Sequence, residues 1–164
     1  RTGDLGYIDR DGFLYVTGRI KEQYKLLNGK YVMPGPLEEQ LKLSPYIANV
    51  MLHGANRPHN VALVVIDEPA VRAWASEQGI KLSDPAKDPR VKELIMAELR
   101  ARSGAFRSFE TPRRVHLTTE DFTTENDLLT PTLKLKRRNV EERFEAVLAA
   151  LYTESPGTSA GPPA

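Results

Sequence analysis

The sequence predicts an α+β fold: a small mixed β-sheet with β-hairpins, flanked by about four helices. Three observations carry that expectation. Two turn dipeptides, Asp11-Gly12 and Asn28-Gly29, each sit between short runs of apolar and aromatic residues, the pattern of a β-hairpin. Two apolar runs, 47–52 and 61–66, have the length of buried strands. Elsewhere apolar residues recur at helical spacing, without strict β-α-β alternation.

Taken in order, the first hairpin spans residues 5–20, with Leu5, Tyr7 and Ile8 before the turn and Phe13, Tyr15 and Val16 after it. The second occupies 22–32, where Tyr24-Lys25-Leu26-Leu27 and Lys30-Tyr31-Val32 flank the turn. Pro34-Gly35-Pro36 breaks the strand. Pro36 suits the first turn of a helix, where a missing N–H costs nothing. Leu37, Leu41 and Leu43 are expected to line that helix, which should end near Ser44-Pro45. Gly54-Ala55-Asn56-Arg57-Pro58 supplies the turn between the two apolar runs.

A helix is expected over 68–78, closed by Gly79. A longer one should follow Asp88, an N-cap with Pro89 at the first helical position, and present Val91, Leu94, Ile95 and Leu99 on one face. Residues 113–117 read as a short strand and 120–129 as polar and irregular. The last helix carries Val140, Phe144, Val147, Leu148 and Leu151 on one stripe. From residue 153 to 164 the chain is rich in Ser, Pro, Gly and Ala, so a disordered tail is expected. Lys21, between the hairpins, is the expected boundary between a first unit, 1–20, and a second, 21–152.

Composition narrows the function classes. The 164 residues suffice for one domain with a real core. A net charge of +1 singles out neither nucleic acid nor an anionic membrane. With no cysteine, disulfide and thiolate chemistry are excluded. No apolar run approaches the ~18 residues of a spanning helix. The chain opens without methionine inside a patterned segment, which reads as a fragment of something longer. His53, His59 and His116 are dispersed and lack metal-ligand spacing, so no metal site is expected. Trp74 reads as a packing residue.

The most informative tract is Thr130-Pro131-Thr132-Leu133-Lys134-Leu135-Lys136-Arg137. Its proline disfavours helix for the residue before it, and the helical pattern starts near Lys136. Lys134 therefore lies just upstream of a helix N-terminus, where N–H groups and the dipole already favour an anion. A cation there does not stabilise the helix. Taken alone, the tract also fits a solvated basic run, or a nucleic-acid patch built from Lys134, Lys136, Arg137 and Arg138. Asp4 fits a turn residue or a carboxylate accepting from a vicinal diol. Arg19 fits a surface ion pair or a ligand for phosphate or ribose. Lys21 also fits a solvated strand end, and Gly29 and Tyr31 fit turn and core.

Three blocks, in order, decide between these readings: R-T-G-D-L-G with D-G-F-L-Y-V-T-G-R-I-K, then K-L-L-N-G-K-Y-V-M-P-G-P-L-E-E, then L-L-T-P-T-L-K-L-K-R. Together they make residues 1–152 resemble the carboxyl-terminal part of a long-chain fatty acyl-CoA synthetase of the adenylate-forming superfamily. Acetate-type and aryl-type ligases usually carry glycine before the corresponding lysine; Leu133 stands in that place here.

The resemblance implies an ATP-dependent fatty acid–CoA ligase. ATP and a fatty carboxylate give an acyl-adenylate and pyrophosphate, and coenzyme A then displaces AMP. It implies that residues 1–20 are the terminal hairpin of a large adenylation domain and 21–152 a mobile carboxyl-terminal domain. It assigns Lys134 to the adenylation step, Asp4 and Arg19 to the nucleotide, Lys21 to the hinge, and Asn28, Gly29, Lys30 and Tyr31 to a loop facing coenzyme A. ATP, Mg2+ and coenzyme A are implied for the full-length enzyme, with none bound tightly by the fragment, which is expected to be inactive alone. Fatty acid, ATP and coenzyme A are reached through the amino-terminal domain, no nucleic-acid partner is expected, and the location is cytoplasmic, with peripheral membrane association open. The competing readings are a fatty acyl-AMP ligase, another acyl-CoA synthetase and a non-catalytic interaction module.

Overall fold

The computed structural model describes residues 3–19 and 22–153, apart from the side chains of residues 4, 5 and 16–19. Both turn dipeptides close antiparallel hairpins. Gly12 and Gly29 take φ of +88° and +83°, a region glycine enters without a Cβ penalty. Strand β1 (Asp4–Ile8) pairs with β2 (Leu14–Arg19), with a register shift between Leu5 and Gly6. Strand β3 (Tyr24–Lys25) pairs with β4 (Tyr31–Val32).

Helix α1 (Pro34–Leu41) starts two residues before the expected Pro36. It ends at Leu41, so Leu43 does not line it and is 65% exposed. The Ser44 N–H donates to the Leu41 carbonyl at 3.1 Å, closing the helix in a turn ahead of Pro45.

The two apolar runs become β5 (Ile47–His53) and β6 (Val61–Ile66), paired antiparallel. Helix α2 (Glu68–Glu77) and helix α3 (Pro89–Arg102) then lead to β7 (Arg114–Thr118), which runs parallel to β6. The sheet order is β5-β6-β7, mixed as expected.

All six residues of β6 are buried because both sheet faces are covered. On one face Ala62, Val64 and Ile66 meet Leu37 and Leu41 of α1, Val71 of α2 and Val91, Ile95 and Leu99 of α3; Trp74 packs at the edge of this core. On the other, Val61, Leu63 and Val65 meet Phe122, Leu128, Val140, Phe144 and Leu148. The expected last helix is two segments, α4 (Arg137–Arg143) and α5 (Glu145–Thr153), so the described residues contain five helices. Phe144 leaves helical geometry at φ −108° and ψ 19°. Hydrogen bonds from Phe144 N to Val140 O (3.0 Å) and from Leu148 N to Phe144 O (2.9 Å) bridge the break and keep the apolar stripe continuous. Helix α5 includes Thr153; residues 154–164 of the expected tail lie outside the described residues. No described helix is long and apolar enough to cross a membrane.

Asp88 caps α3 as expected, its Oδ1 accepting from the Arg90 N–H at 2.9 Å. The Arg90 guanidinium hydrogen-bonds the same carboxylate and holds its pKa at about 2, below the ordinary 3.8. A depressed folded pKa contributes stability above the unfolded value and loses it as pH falls through the folded one. The stability margin of the native chain over Asp88→Asn, measured by urea unfolding, should therefore be constant above about pH 4 and shrink toward about pH 2. A margin unchanged across that range would contradict the pairing.

Candidate active site

A tight turn presents Lys134. The Leu133 N–H donates to the Thr130 carbonyl at 2.8 Å, the Lys134 N–H to Thr130 Oγ1 at 3.0 Å, and the Thr130 N–H to the Lys134 carbonyl at 2.8 Å. A β-bridge between Leu129 and Leu135 closes the loop, and the Lys136 N–H donates to Leu128 O at 2.9 Å. Leu133 takes φ +60°, left-handed backbone that costs a side-chain-bearing residue about 1–2 kcal/mol. That conformation accounts physically for glycine as an alternative occupant of this place.

The basic run is not one uniform face. Lys136 pairs with Asp127, and Arg138 Nε donates to Glu142 Oε1 at 2.8 Å. Arg137 Nη2 lies 2.8 Å from both oxygens of Glu38. Among the described residues, no carboxylate pairs with Lys134. Its exposed side chain lines a cleft of about 990 Å³. Tyr7 and Tyr15 of the first hairpin, Tyr24 of β3, and Glu38 and Arg137 also line the cleft. The two hairpin rings stack with centroids 5.1 Å apart.

Glu38 is 7% exposed, and burial pushes its carboxyl up, against the pull of Arg137 and of the Leu52 N–H at 2.7 Å. The Tyr24 hydroxyl donates to Asn60 Oδ1 at 2.8 Å. Burial raises its pKa far above the ordinary 10, so it stays a donor at neutral pH.

The other expected site residues divide. Asp4 and Arg19 stand opposite one another at the open end of the β1–β2 ladder; their side chains are outside the described set. Lys21 lies outside the described residues. The 28–31 loop is a tight turn in which the Gly29 N–H donates to Leu26 O at 2.9 Å and the Lys30 N–H to Asn28 Oδ1 at 3.1 Å. It does not line the Lys134 cleft. Instead Lys30 Nζ lies 4.7 Å from the centroid of the Phe109 ring, and Tyr31 is 59% exposed. Among the described residues, no group of three His, Asp or Glu is placed to hold a metal ion. The Glu38–Arg137 pair and the tyrosine wall were missed in the sequence. An acid beside Leu37 and Leu41 on a short apolar helix was the available signal for the first.

The sheet and its helices have the architecture of the carboxyl-terminal region of an adenylation domain. Residues 21–97 match the family described as AMP-binding enzyme C-terminal domain. Over 94% of its length the chain is 37% identical to the long-chain-fatty-acid–CoA ligase FadD15 of Mycobacterium tuberculosis, covering 26% of that protein. Over 92% it is 34% identical to mouse long-chain-fatty-acid–CoA ligase 5, covering 23%. Among solved structures, it superposes on the adenylation domain of a Mycobacterium chelonae carboxylate reductase with a TM-score of 0.78 and 28% identity, over 93% of this chain and 23% of that one. The chain thus spans about a quarter of the length of the curated relatives it matches.

Proposed function

We propose that this chain is the carboxyl-terminal part of an ATP-dependent long-chain fatty acid–CoA ligase, with residues 1–20 closing the large domain and 21–152 forming a domain that moves against it. One observation carries the reading: of the basic residues in the Thr130–Arg137 tract, Lys134 alone lines the cleft without forming an ion pair among the described residues. Adenylation brings a carboxylate against the α-phosphate of ATP, two anions that repel. An ammonium on a side chain whose backbone is fixed by the Thr130 turn can reach in to stabilise the charge developing between them. Asp4, across the ladder from Arg19, is assigned to the ribose hydroxyls, and Arg19 to the nucleotide.

The coenzyme A step needs the ammonium withdrawn so that the thiol can enter. Lys21 is assigned to the hinge for that movement, and the 28–31 loop to the surface presented afterwards. The separation of that loop from the cleft supports a domain with two working faces. Exposed Ile8, Phe13 and Leu14 on the first hairpin support its assignment to a different packing unit. Mg2+, where used, accompanies ATP; the described residues offer it no cluster, and none of these roles depends on it.

The test compares this chain alone with the full-length enzyme, each given ATP and palmitate. Pyrophosphate release should occur only with the full-length protein, because the fatty acid pocket and phosphate loop are assigned to the larger domain. Turnover by this chain alone would overturn the reading.

A further inference from the structure

Two charged side chains meet where hydrocarbon would suffice. Glu38 sits on α1 beside the buried Leu37 and Leu41, and Arg137, its side chain 20% exposed, opens α4 three residues after Lys134. Arg137 Nη2 spans both Glu38 oxygens at 2.8 Å, while its Nη1 donates to the Leu52 carbonyl at 2.6 Å. The Leu52 N–H donates back to Glu38 Oε1 at 2.7 Å. Leu52 belongs to β5, an edge strand, so the pair occupies backbone groups that a further strand would otherwise satisfy. Three elements are pinned at one point: α1, the sheet edge and the first residue of α4.

A buried ion pair contributes little net stability, since desolvation offsets most of its attraction. Its distinctive property is direction, because a guanidinium that divides its donors between a carboxylate and a carbonyl admits one orientation. The Lys134 arm is tied upstream by the Leu129–Leu135 bridge and downstream by Arg137.

We propose that Glu38 and Arg137 are positioning residues for Lys134: their pair fixes the start of α4 and thereby the place of the ammonium during adenylation. The inference rests on the adenylation role proposed for Lys134.

The experiment replaces the pair by hydrocarbon, E38L/R137M, in the full-length enzyme. The exchange of the pair itself is commonly neutral or stabilising, but it also strips the Leu52 N–H and carbonyl of their partners, so Tm should fall by several degrees while the protein stays folded. With ATP and palmitate, kcat for pyrophosphate release should fall about ten- to a hundredfold, the scale of a small misplacement. KM for both substrates should stay within about twofold, and CoA-dependent conversion of preformed palmitoyl-adenylate should be unchanged. The single variant R137K keeps the charge but not the divided donors; it should show the same split and covers a double variant that does not fold. Unchanged adenylation in either folded variant, or equal loss of both half-reactions, overturns the positioning role. Lys134→Ala is the control. If it retains adenylation, the underlying reading fails; if it loses adenylation while E38L/R137M keeps it, only the positioning role fails.

Discussion

Lys134→Ala in the full-length enzyme should abolish acyl-adenylate formation while largely sparing thioester formation from preformed acyl-adenylate. The side chain is exposed on a turn, so its loss removes charge without emptying a core. Removing one preorganised group aimed at developing charge costs about a hundred- to a thousandfold in kcat. The turn itself survives, because the Lys134 N–H and carbonyl bond Thr130 whatever the side chain. Pyrophosphate release reports the first half-reaction, and CoA-dependent consumption of synthetic palmitoyl-adenylate reports the second. Equal loss in both would show that Lys134 serves the fold or both steps alike.

The largest stability effect is expected at Asn60, which is fully buried. Its Nδ2 donates to the carbonyls of Phe109 (3.1 Å) and Glu110 (2.8 Å), while its Oδ1 accepts from Tyr24. One amide therefore ties the second hairpin to the segment leading into β7. Gly54 is fitted against it, since a Cβ there would stand 2.1 Å from Asn60 Oδ1. Asn60→Ala leaves two carbonyls and a phenol without this partner. At about 1–3 kcal/mol for each group left unsatisfied, partly relieved by water, we expect a loss of about 3 kcal/mol. Thermal unfolding followed by circular dichroism should show Tm lowered by about 10 °C. A shift under about 2 °C would mean that the amide is dispensable.

Legibility in the sequence followed the strength of local constraint. Asp11-Gly12 and Asn28-Gly29 announced their hairpins because glycine's backbone freedom is a property of the residue itself. Residues 61–66 announced a strand by their short apolar run, while the covering of both its faces came only with the fold. The break at Phe144 left no trace, because the hydrogen bonds on either side preserve the helical spacing of Val140, Phe144 and Leu148. Leu43 misled because it continues the leucine-rich stretch of Leu37 and Leu41, although its two-residue step from Leu41 is not helical spacing and the chain turns toward Pro45 first. At the site, Lys134 stood out through its neighbours in the tract. Glu38 and Arg137, 99 residues apart, could be joined only by the fold. The tyrosine wall likewise depends on how the first hairpin stands against α1 and the Lys134 turn.

Leu133 gives this turn a further property. Its left-handed backbone holds an exposed hydrocarbon tip on the cleft, next in sequence to the ammonium. A surface closing over that tip sheds water from one flank of Lys134. Attraction between unit charges about 4 Å apart rises from about 1 kcal/mol in water to about 4 kcal/mol at an effective dielectric of about 20. On the proposed adenylation role, the leucine would act as a small insulator, strengthening the pull of Lys134 on an anion once the large domain covers it.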